Sequence, residues 1–192
     1  MTEQSKTSGL KAELLALLRK KSVFHGEFTL ASGTKSNYYI DCRLTTFDPL
    51  GATLVGRLMH ELICIEAERR GVRIDAVGGL TMGADPVALA TAMASVNSTH
   101  PFQCFVVRKA PKTHGQTKLI EGNFKKGDTV VVIDDVVTRG ESTISAINAV
   151  LNEGGKVAFV AVLVDRQEGG CDKIEAMGYP VVSLFKRDDI VK

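Results

Sequence analysis

The chain has no pair of cysteines close enough to act together. Cys42, Cys64, Cys104 and Cys171 are scattered along the sequence, which excludes a zinc-ligand spacing and a redox pair. Scattered free thiols suit a reducing compartment. Charge of one sign is also missing. Lys and Arg number 24 against 22 Asp and Glu, intermixed throughout, for a net charge of +2, so nothing global calls for a nucleic-acid or membrane partner. No apolar run reaches membrane-spanning length, and the opening "MTEQSKTSGL" has no signal-peptide core. Internal repeats and low-complexity segments are absent. So are a Walker P-loop and a G-x-G-x-x-G fingerprint, which disfavours a nucleoside triphosphate or a dinucleotide. His25, His60 and His100 lack partners at ligand spacing and read as structural or surface residues. The expectation is a soluble cytoplasmic protein.

What is present is a core. Apolar residues make up 44% of 192 residues, enough for one packed domain. Residues 1 to 8 are polar and read as frayed. Leu10, Leu14, Leu17 and Leu18 mark one face of a short helix. "FTLASGTKSNYYIDCR" reads as two short strands around a Ser-Gly turn. Asp48-Pro49 opens a long helix that ends at Gly71, with Leu50, Leu54, Leu58, Leu62 and Ile65 as its apolar face. "RIDAVGGL" enters a glycine-rich turn, and residues 84 to 95 look helical. "FQCFVV", "TVVVID" and "KVAFVAVLVD" read as strands, residues 141 to 153 as a helix, and a last helix and the strand "VVSLF" close the chain. The strands are continuous apolar runs. They predict an α/β fold, a parallel sheet with helices on both faces.

In such sheets ligands bind beyond the carboxyl ends of the strands. Four polar stretches fall there: "GGLTMGAD", "RKAPKTHGQTKLIEG", "DDVVTRGES" and "DRQEGG". The third follows four β-branched residues. Residues 138 to 142 lie between strand end and helix start, where free N–H groups and the helix dipole favour a phosphate. Thr138, Ser142 and Thr143 add hydroxyls, and Gly140 permits the tight turn. Asp134 and Asp135 would repel a phosphate, so they suit vicinal hydroxyls or a magnesium ion. Together these features describe a ribose 5-phosphate site. The plainer alternative is that the two acids end the strand and cap the helix.

"VVVIDDVVTRGEST" resembles the phosphoribosyl pyrophosphate motif of the type I phosphoribosyltransferases. "FTLASGTKSNYYID", "GLTMGADPVALA", "VVRKAPKTHGQTKLIEG" and "VDRQEG" look like the corresponding segments of the orotate phosphoribosyltransferase family, in the same order, across roughly residues 24 to 170. The resemblance implies a single domain over residues 1–192. Its parallel-sheet core would carry a small hood, mainly from about residues 1–45 with C-terminal parts, and a flexible lid at 108–122. The implied reaction transfers the 5-phosphoribosyl group of phosphoribosyl pyrophosphate to orotate with inversion, giving orotidine 5′-monophosphate and diphosphate in pyrimidine nucleotide synthesis.

By the same resemblance, Arg108, Lys109, Lys112, His114, Asp134, Asp135, Val136, Val137, Thr138, Arg139, Gly140, Glu141 and Ser142 would bind the phosphoribosyl donor. Lys109, Lys112, His114 and Asp135 would be the catalytic group, with Lys109 acting across a homodimer. Thr138 and Arg166 would contact orotate. Magnesium would be held mainly by the substrate, with no dedicated protein metal site. Gly79 and Gly83 are expected to let backbone N–H groups approach the pyrophosphate, and Gly115 and Gly122 to serve as lid hinges. Many relatives carry an aromatic-lysine pair where Thr81-Met82 stands, and a lysine where Ala31 stands; Lys35 is a candidate substitute for the latter. The resemblance also makes "SNYYID" a hood over the base with Tyr38 and Tyr39 nearby; the competing readings are Arg166 pairing with Asp165 or Glu168, and Tyr38 and Tyr39 as buried core residues. Two other functions stay open: a regulatory module that binds the donor without catalysis, and a phosphoribosyltransferase for a purine or uracil.

Overall fold

A computed structural model describes residues 3–29, 35–110 and 118–191. Helix α1 (Glu3–Lys21) leads into strands β1 (Val23–Thr29) and β2 (Lys35–Ile40). Then follow α2 (Arg43–Thr46), α3 (Pro49–Arg70), β3 (Ala76–Leu80), α4 (Ala84–Ala94), β4 (Gln103–Val107) and β5 (Ile120–Gly122). The chain finishes through β6 (Thr129–Val137), α5 (Glu141–Asn152), β7 (Lys156–Asp165), α6 (Gly170–Ala176), β8 (Val181–Lys186) and α7 (Arg187–Ile190).

Six strands form one sheet in the order β5-β4-β3-β6-β7-β8. All neighbours are parallel except β4 and β5, which run antiparallel. Side chains on β6 alternate between two layers. Val131 and Ile133 pack with α1, α3 and α4, while Val130 and Val132 pack with α5 and α6. This explains the unbroken β-branched run: a strand covered on both faces has no solvent side to fill with polar residues. Each fully buried Val or Ile contributes about 1.5–3 kcal/mol.

The chain leaves β3 toward one edge of the sheet and leaves β6 toward the other, so the winding reverses between these neighbours. They pair only from Ala76↔Val130 to Gly78↔Val132. Beyond that point β3 stays with β4, and the Thr81 N–H donates to the Val107 carbonyl at 2.8 Å. The two strands therefore part at their carboxyl ends, where a reversal of winding opens a crevice.

Several expectations change here. Helix α1 starts at Glu3, within the segment read as frayed, and is not short. On α3 the buried face is Leu54, Val55, Leu58, Met59, Ile63 and Ala67, while Leu50 and Ile65 are exposed. The leucine spacing followed one ridge, whereas α3 packs on a wider stripe set by α4 and the sheet. Gly56 marks the close approach: a Cβ there would lie 2.4 Å from the Ala90 carbonyl oxygen. Strand β6 runs on through Val137, so the paired acids lie inside the strand and not at its end. Strand β5, read as part of a loop, pairs with β4, with Ile120 buried against it.

The β1–β2 hairpin stands apart from the sheet as a separate two-stranded layer. Its base is tied down by the Asp41 N–H donating to the Ser22 carbonyl at 2.8 Å, and by Ser22 Oγ and Thr45 Oγ1 at 2.7 Å. Arg19 of α1 donates to the carbonyls of Asp189 and Ile190, which joins the N-terminal segment to the end of the chain.

Candidate active site

The crevice between β3 and β6 has a volume of about 540 Å³. The turn after β3 forms one wall, the end of β6 and the start of α5 form the floor, and the residues after the hairpin form the opposite wall.

Helix α5 begins at Gly140, whose φ of 81° is left-handed, and no side chain caps it. Ser142 and Thr143 do not cap it because their hydroxyls donate back to Asp134 Oδ2, at 2.8 and 2.7 Å. The Asp135 N–H donates to Asp134 Oδ1 at 3.1 Å. Asp134 is thus buried, only 4% exposed, and holds the phosphate-type turn in shape. The plainer reading of the acids applies to it in part.

Asp135 differs. It is half-buried and faces the turn after β3, where a Cβ on Gly83 would lie 2.2 Å from its Oδ1. Burial first, and then the Asp134 carboxylate, push its carboxyl up to about 7. Burial also raises Asp134, against the lowering effect of the Thr143 and Ser142 hydroxyls. Val136, Glu141, Ser142 and Ser145 line the crevice. Val137 does not: its side chain is buried under α5, so only its backbone can meet a ligand. Thr138 turns its carbonyl to the Gly170 N–H at 2.9 Å, and Arg139 is exposed.

In the turn after β3, the Thr81–Met82 peptide is cis, and Thr81 Oγ1 donates to Asp85 Oδ2 at 2.7 Å. Gly83 meets the site. Gly79 instead lies in β3, where a Cβ would come 2.0 Å from the Ile133 carbonyl oxygen. Strand packing, not anion approach, requires that glycine.

Arg166 is 4% exposed, and its Nη2 donates to Glu168 Oε1 at 2.7 Å. Its guanidinium lies 5.1 Å from the centroid of the Tyr38 ring. Its buried Nε has no hydrogen-bond partner among the described residues. The competing Glu168 pairing is therefore real, yet one donor is left over, and an unmet buried donor is costly unless a ligand supplies an acceptor. Tyr38 is half-buried and Tyr39 exposed, with Phe28 and Tyr39 ring centroids 5.7 Å apart.

At the loop, the Arg108 N–H donates to the Leu119 carbonyl at 2.9 Å, and its Nη1 lies 3.5 Å from Glu121 Oε1. Lys109 lines the crevice. Ala31, Lys112, His114 and Gly115 lie outside the described residues. Gly122 is in β5, where a Cβ would lie 2.6 Å from the Cys104 carbonyl oxygen; it anchors the loop's far end. Lys35 opens β2 opposite Thr29 and is exposed. His60 stacks edge-on against Phe102, and His100 lies at the other end of the sheet.

The opposite wall holds two residues that the sequence did not single out. Asp41 and Arg43 both line the crevice and form a two-point ion pair, Nε to Oδ1 and Nη2 to Oδ2, each at 2.8 Å. Acid and base two positions apart after a strand read as ordinary surface, and only the hairpin's placement brings them to the site.

Among the described residues no group of three His, Cys, Asp or Glu side chains could hold a metal ion. The donor set that does exist is Asp135, with Asp134 committed to hydroxyls. A carboxyl raised toward neutrality by burial and then by a neighbouring carboxylate gains from a cation beside it, so a divalent ion carried in on a ligand's oxygens fits here.

Residues 63–183 match the phosphoribosyl transferase domain family. The chain is 42% identical over 184 residues to the orotate phosphoribosyltransferase of Aquifex aeolicus, covering 94% of this chain and 97% of that one. It is 44% identical over 180 residues to that of Mycobacterium tuberculosis, covering 94% and 96%. The crystal structure of the M. tuberculosis orotate phosphoribosyltransferase in complex with 5-phospho-α-D-ribosyl 1-diphosphate superposes with a TM-score of 0.78 at 39% identity, covering 94% of this chain and 98% of that one. The Saccharomyces cerevisiae adenine phosphoribosyltransferase superposes at 0.64 with 18% identity, covering 90% and 99%, a likeness of fold alone.

Proposed function

The chain belongs to the orotate phosphoribosyltransferase family, and from that premise we propose how its rim works. The enzyme transfers the 5-phosphoribosyl group of 5-phospho-α-D-ribose 1-diphosphate to orotate, giving orotidine 5′-monophosphate and diphosphate in pyrimidine nucleotide synthesis. The observation that carries the residue assignment is the start of α5: a helix end at the winding reversal whose N–H groups no side chain caps. The 5-phosphate sits there, on the backbone of Thr138, Arg139, Gly140, Glu141 and Ser142. Asp135, beside the backbone of Val136 and Val137, accepts from the ribose hydroxyls, while Asp134 keeps the turn rigid. Orotate lies toward Thr138 and Arg166, whose unmet Nε supplies a donor for its carboxylate.

The bond to the leaving diphosphate breaks ahead of full attack by the ring nitrogen, so charge builds on ribosyl carbon and diphosphate together. What accelerates such a step is fixed charge and exclusion of water. The loop 108–122 is proposed as the lid that supplies both. Lys109, Lys112 and His114 approach the diphosphate, and Arg108 exchanges Glu121 for it. Asp135 would be the carboxylate to help hold a magnesium ion carried in on the donor, and the chemistry such an ion would supply is neutralisation of charge on the leaving group. The single domain over residues 1–192, with its hood from about 1–45, forms a homodimer in which Lys109 serves the neighbouring site. Exposed Phe47, Leu50, Leu89, Met93 and Val96 support that pairing, as apolar area a second copy would cover. The free thiols support a cytoplasmic location.

The test is direct. The protein, magnesium and phosphoribosyl diphosphate are mixed with orotate and absorbance is followed, then the assay is repeated with uracil, hypoxanthine and adenine. Orotate alone is consumed if the reading holds; turnover of another base and not orotate overturns it. Turnover in a mixture of Lys109→Ala and Arg166→Ala chains, each inactive alone, supports the shared lid.

A further inference from the structure

We propose that Arg43 binds the diphosphate of the donor and that Asp41 is its positioning residue, an assignment that rests on reading the crevice as the donor site. Charge is the first reason. The described residues lining the crevice include the carboxyls of Asp41, Asp134, Asp135 and Glu141 but only two cations, Arg43 and Lys109. A sugar carrying a phosphate and a diphosphate adds several negative charges to an already acidic cleft. Lys109 belongs to the lid, so among the described residues Arg43 is the one basic side chain lining the fixed walls. The turn Leu80–Gly83 contributes none.

Geometry is the second reason. Asp41 holds Arg43 at three points: Nε to Oδ1 and Nη2 to Oδ2 at 2.8 Å each, and the Arg43 backbone N–H to Oδ1 at 3.1 Å. That pairing leaves further N–H donors of the guanidinium unused. The Arg43 side chain is 46% exposed, so a ligand can reach it. The wall beneath does not yield. The Asp41 backbone is bonded to Ser22, buried Ser22 and Thr45 hydroxyls face each other at 2.7 Å, and a Cβ on Gly51 would lie 2.0 Å from the Thr45 carbonyl oxygen. A planar cation fixed in orientation suits adjacent phosphoryl oxygens better than a free lysine. Asp41, alone on this wall, would repel the donor; paired, it converts an exposed arginine into an oriented one.

The experiment is steady-state kinetics on Arg43→Ala, Arg43→Lys, Asp41→Asn and the Arg43→Ala/Asp41→Asn double variant, with calorimetry of magnesium diphosphate binding. Arg43→Ala should raise the KM for the phosphoribosyl donor about 10- to 100-fold while the KM for orotate stays within about twofold. Arg43→Lys should fall between the variant and the parent. Asp41→Asn should raise the donor KM by less. The double variant should match Arg43→Ala, since Asp41 acts through Arg43. Diphosphate affinity should fall in parallel with the donor. A donor KM and a diphosphate affinity both within about twofold of the parent overturn the proposal. Equal losses for donor and orotate with a lowered Tm also overturn it, by showing a merely structural pair. If the parent leaves orotate unconsumed yet Arg43→Ala weakens diphosphate binding, the base assignment falls and this inference stands.

Discussion

Helices α3 and α5 both begin beside an aspartate, and they treat their first N–H groups in opposite ways. At α3 the Asp48 side chain accepts from the Gly51 N–H at 2.9 Å, and Pro49 at the first position has no N–H to satisfy. Lys21 pairs with the other carboxylate oxygen. Everything that start needs is supplied within the chain. At α5 the cap position is glycine, and the hydroxyls that could cap it, Ser142 and Thr143, are drawn back onto Asp134. A helix leaves about four N–H groups unmet at its start. Where side chains meet them, the start is architecture; where side chains are held away from them at the rim of a crevice, the start is left open, as the proposed phosphate site requires.

The comparison breaks most sharply if α5 is made to resemble α3. Gly140→Asp places a carboxylate at the cap, where it both claims the N–H groups and repels a phosphate. We expect kcat/KM for the phosphoribosyl donor to fall by at least about 100-fold, the loss of two charge-assisted hydrogen bonds or so. The substitution also strains a φ of 81° and sets a Cβ 3.1 Å from the Gly170 carbonyl oxygen, so Gly140→Ala is the control that carries strain without charge. Steady-state kinetics on both variants check this. Equal losses in the two would show that geometry, not the open N–H groups, governs binding.

The same contrast explains what the sequence could reveal. Asp48-Pro49 and Gly71 mark both ends of α3 because capping is local chemistry, decided within a few residues. The β-branched run from Val130 to Ile133 announces a strand buried on both faces for the same reason. The packed stripe of α3 was misjudged at Leu50 and Ile65 because it depends on where α4 and the sheet lie. Strand β5 was missed because three residues of edge strand carry little pattern of their own. At the site, the turn after Asp135 was legible. The split between Asp134, bound to two hydroxyls, and Asp135, facing Gly83, was not: adjacent identical residues differ only through strand alternation and what each face meets. Arg43 was hidden for a similar reason, since its place in the crevice comes from a hairpin folded over from elsewhere.

The acids sharpen the comparison through pH. The Lys21 hydrogen bond first, and then the Gly51 N–H, hold Asp48 below the usual carboxylate range, whereas Asp135 is pushed up to about 7. The two shifts act with opposite sign. Asp48 contributes stability at neutral pH that is lost as pH falls through the carboxylate range. Asp135 is neutral in both folded and unfolded chains below about pH 4, and its ionisation penalises the folded state progressively up to about pH 7. Asp135→Asn should therefore raise the Tm of the ligand-free enzyme at pH 8 by about a few degrees and leave it nearly unchanged at pH 4. Melting curves across that range check the sign. A lower Tm at pH 8 would mean that the carboxylate stabilises the empty site and is not held there for a ligand.

The smallest effect belongs to the closed helix start. Asp48→Ala removes the cap from Gly51 and the partner of Lys21, and should lower Tm at pH 7 on the order of 2–4 °C. Because the Asp48 carboxyl is held low, the gap between variant and parent should narrow as the solution is acidified. Turnover should not change, because Asp48 does not line the crevice. The useful reading is the pair of numbers together, Tm down with kcat/KM held, against Gly140→Asp with the reverse weighting. If removing Asp48 cost activity as well, the hairpin wall that carries Asp41 and Arg43 would depend on the α3 cap through Gly51 and Thr45, and the division between a start that holds the fold and a start that holds the ligand would fail.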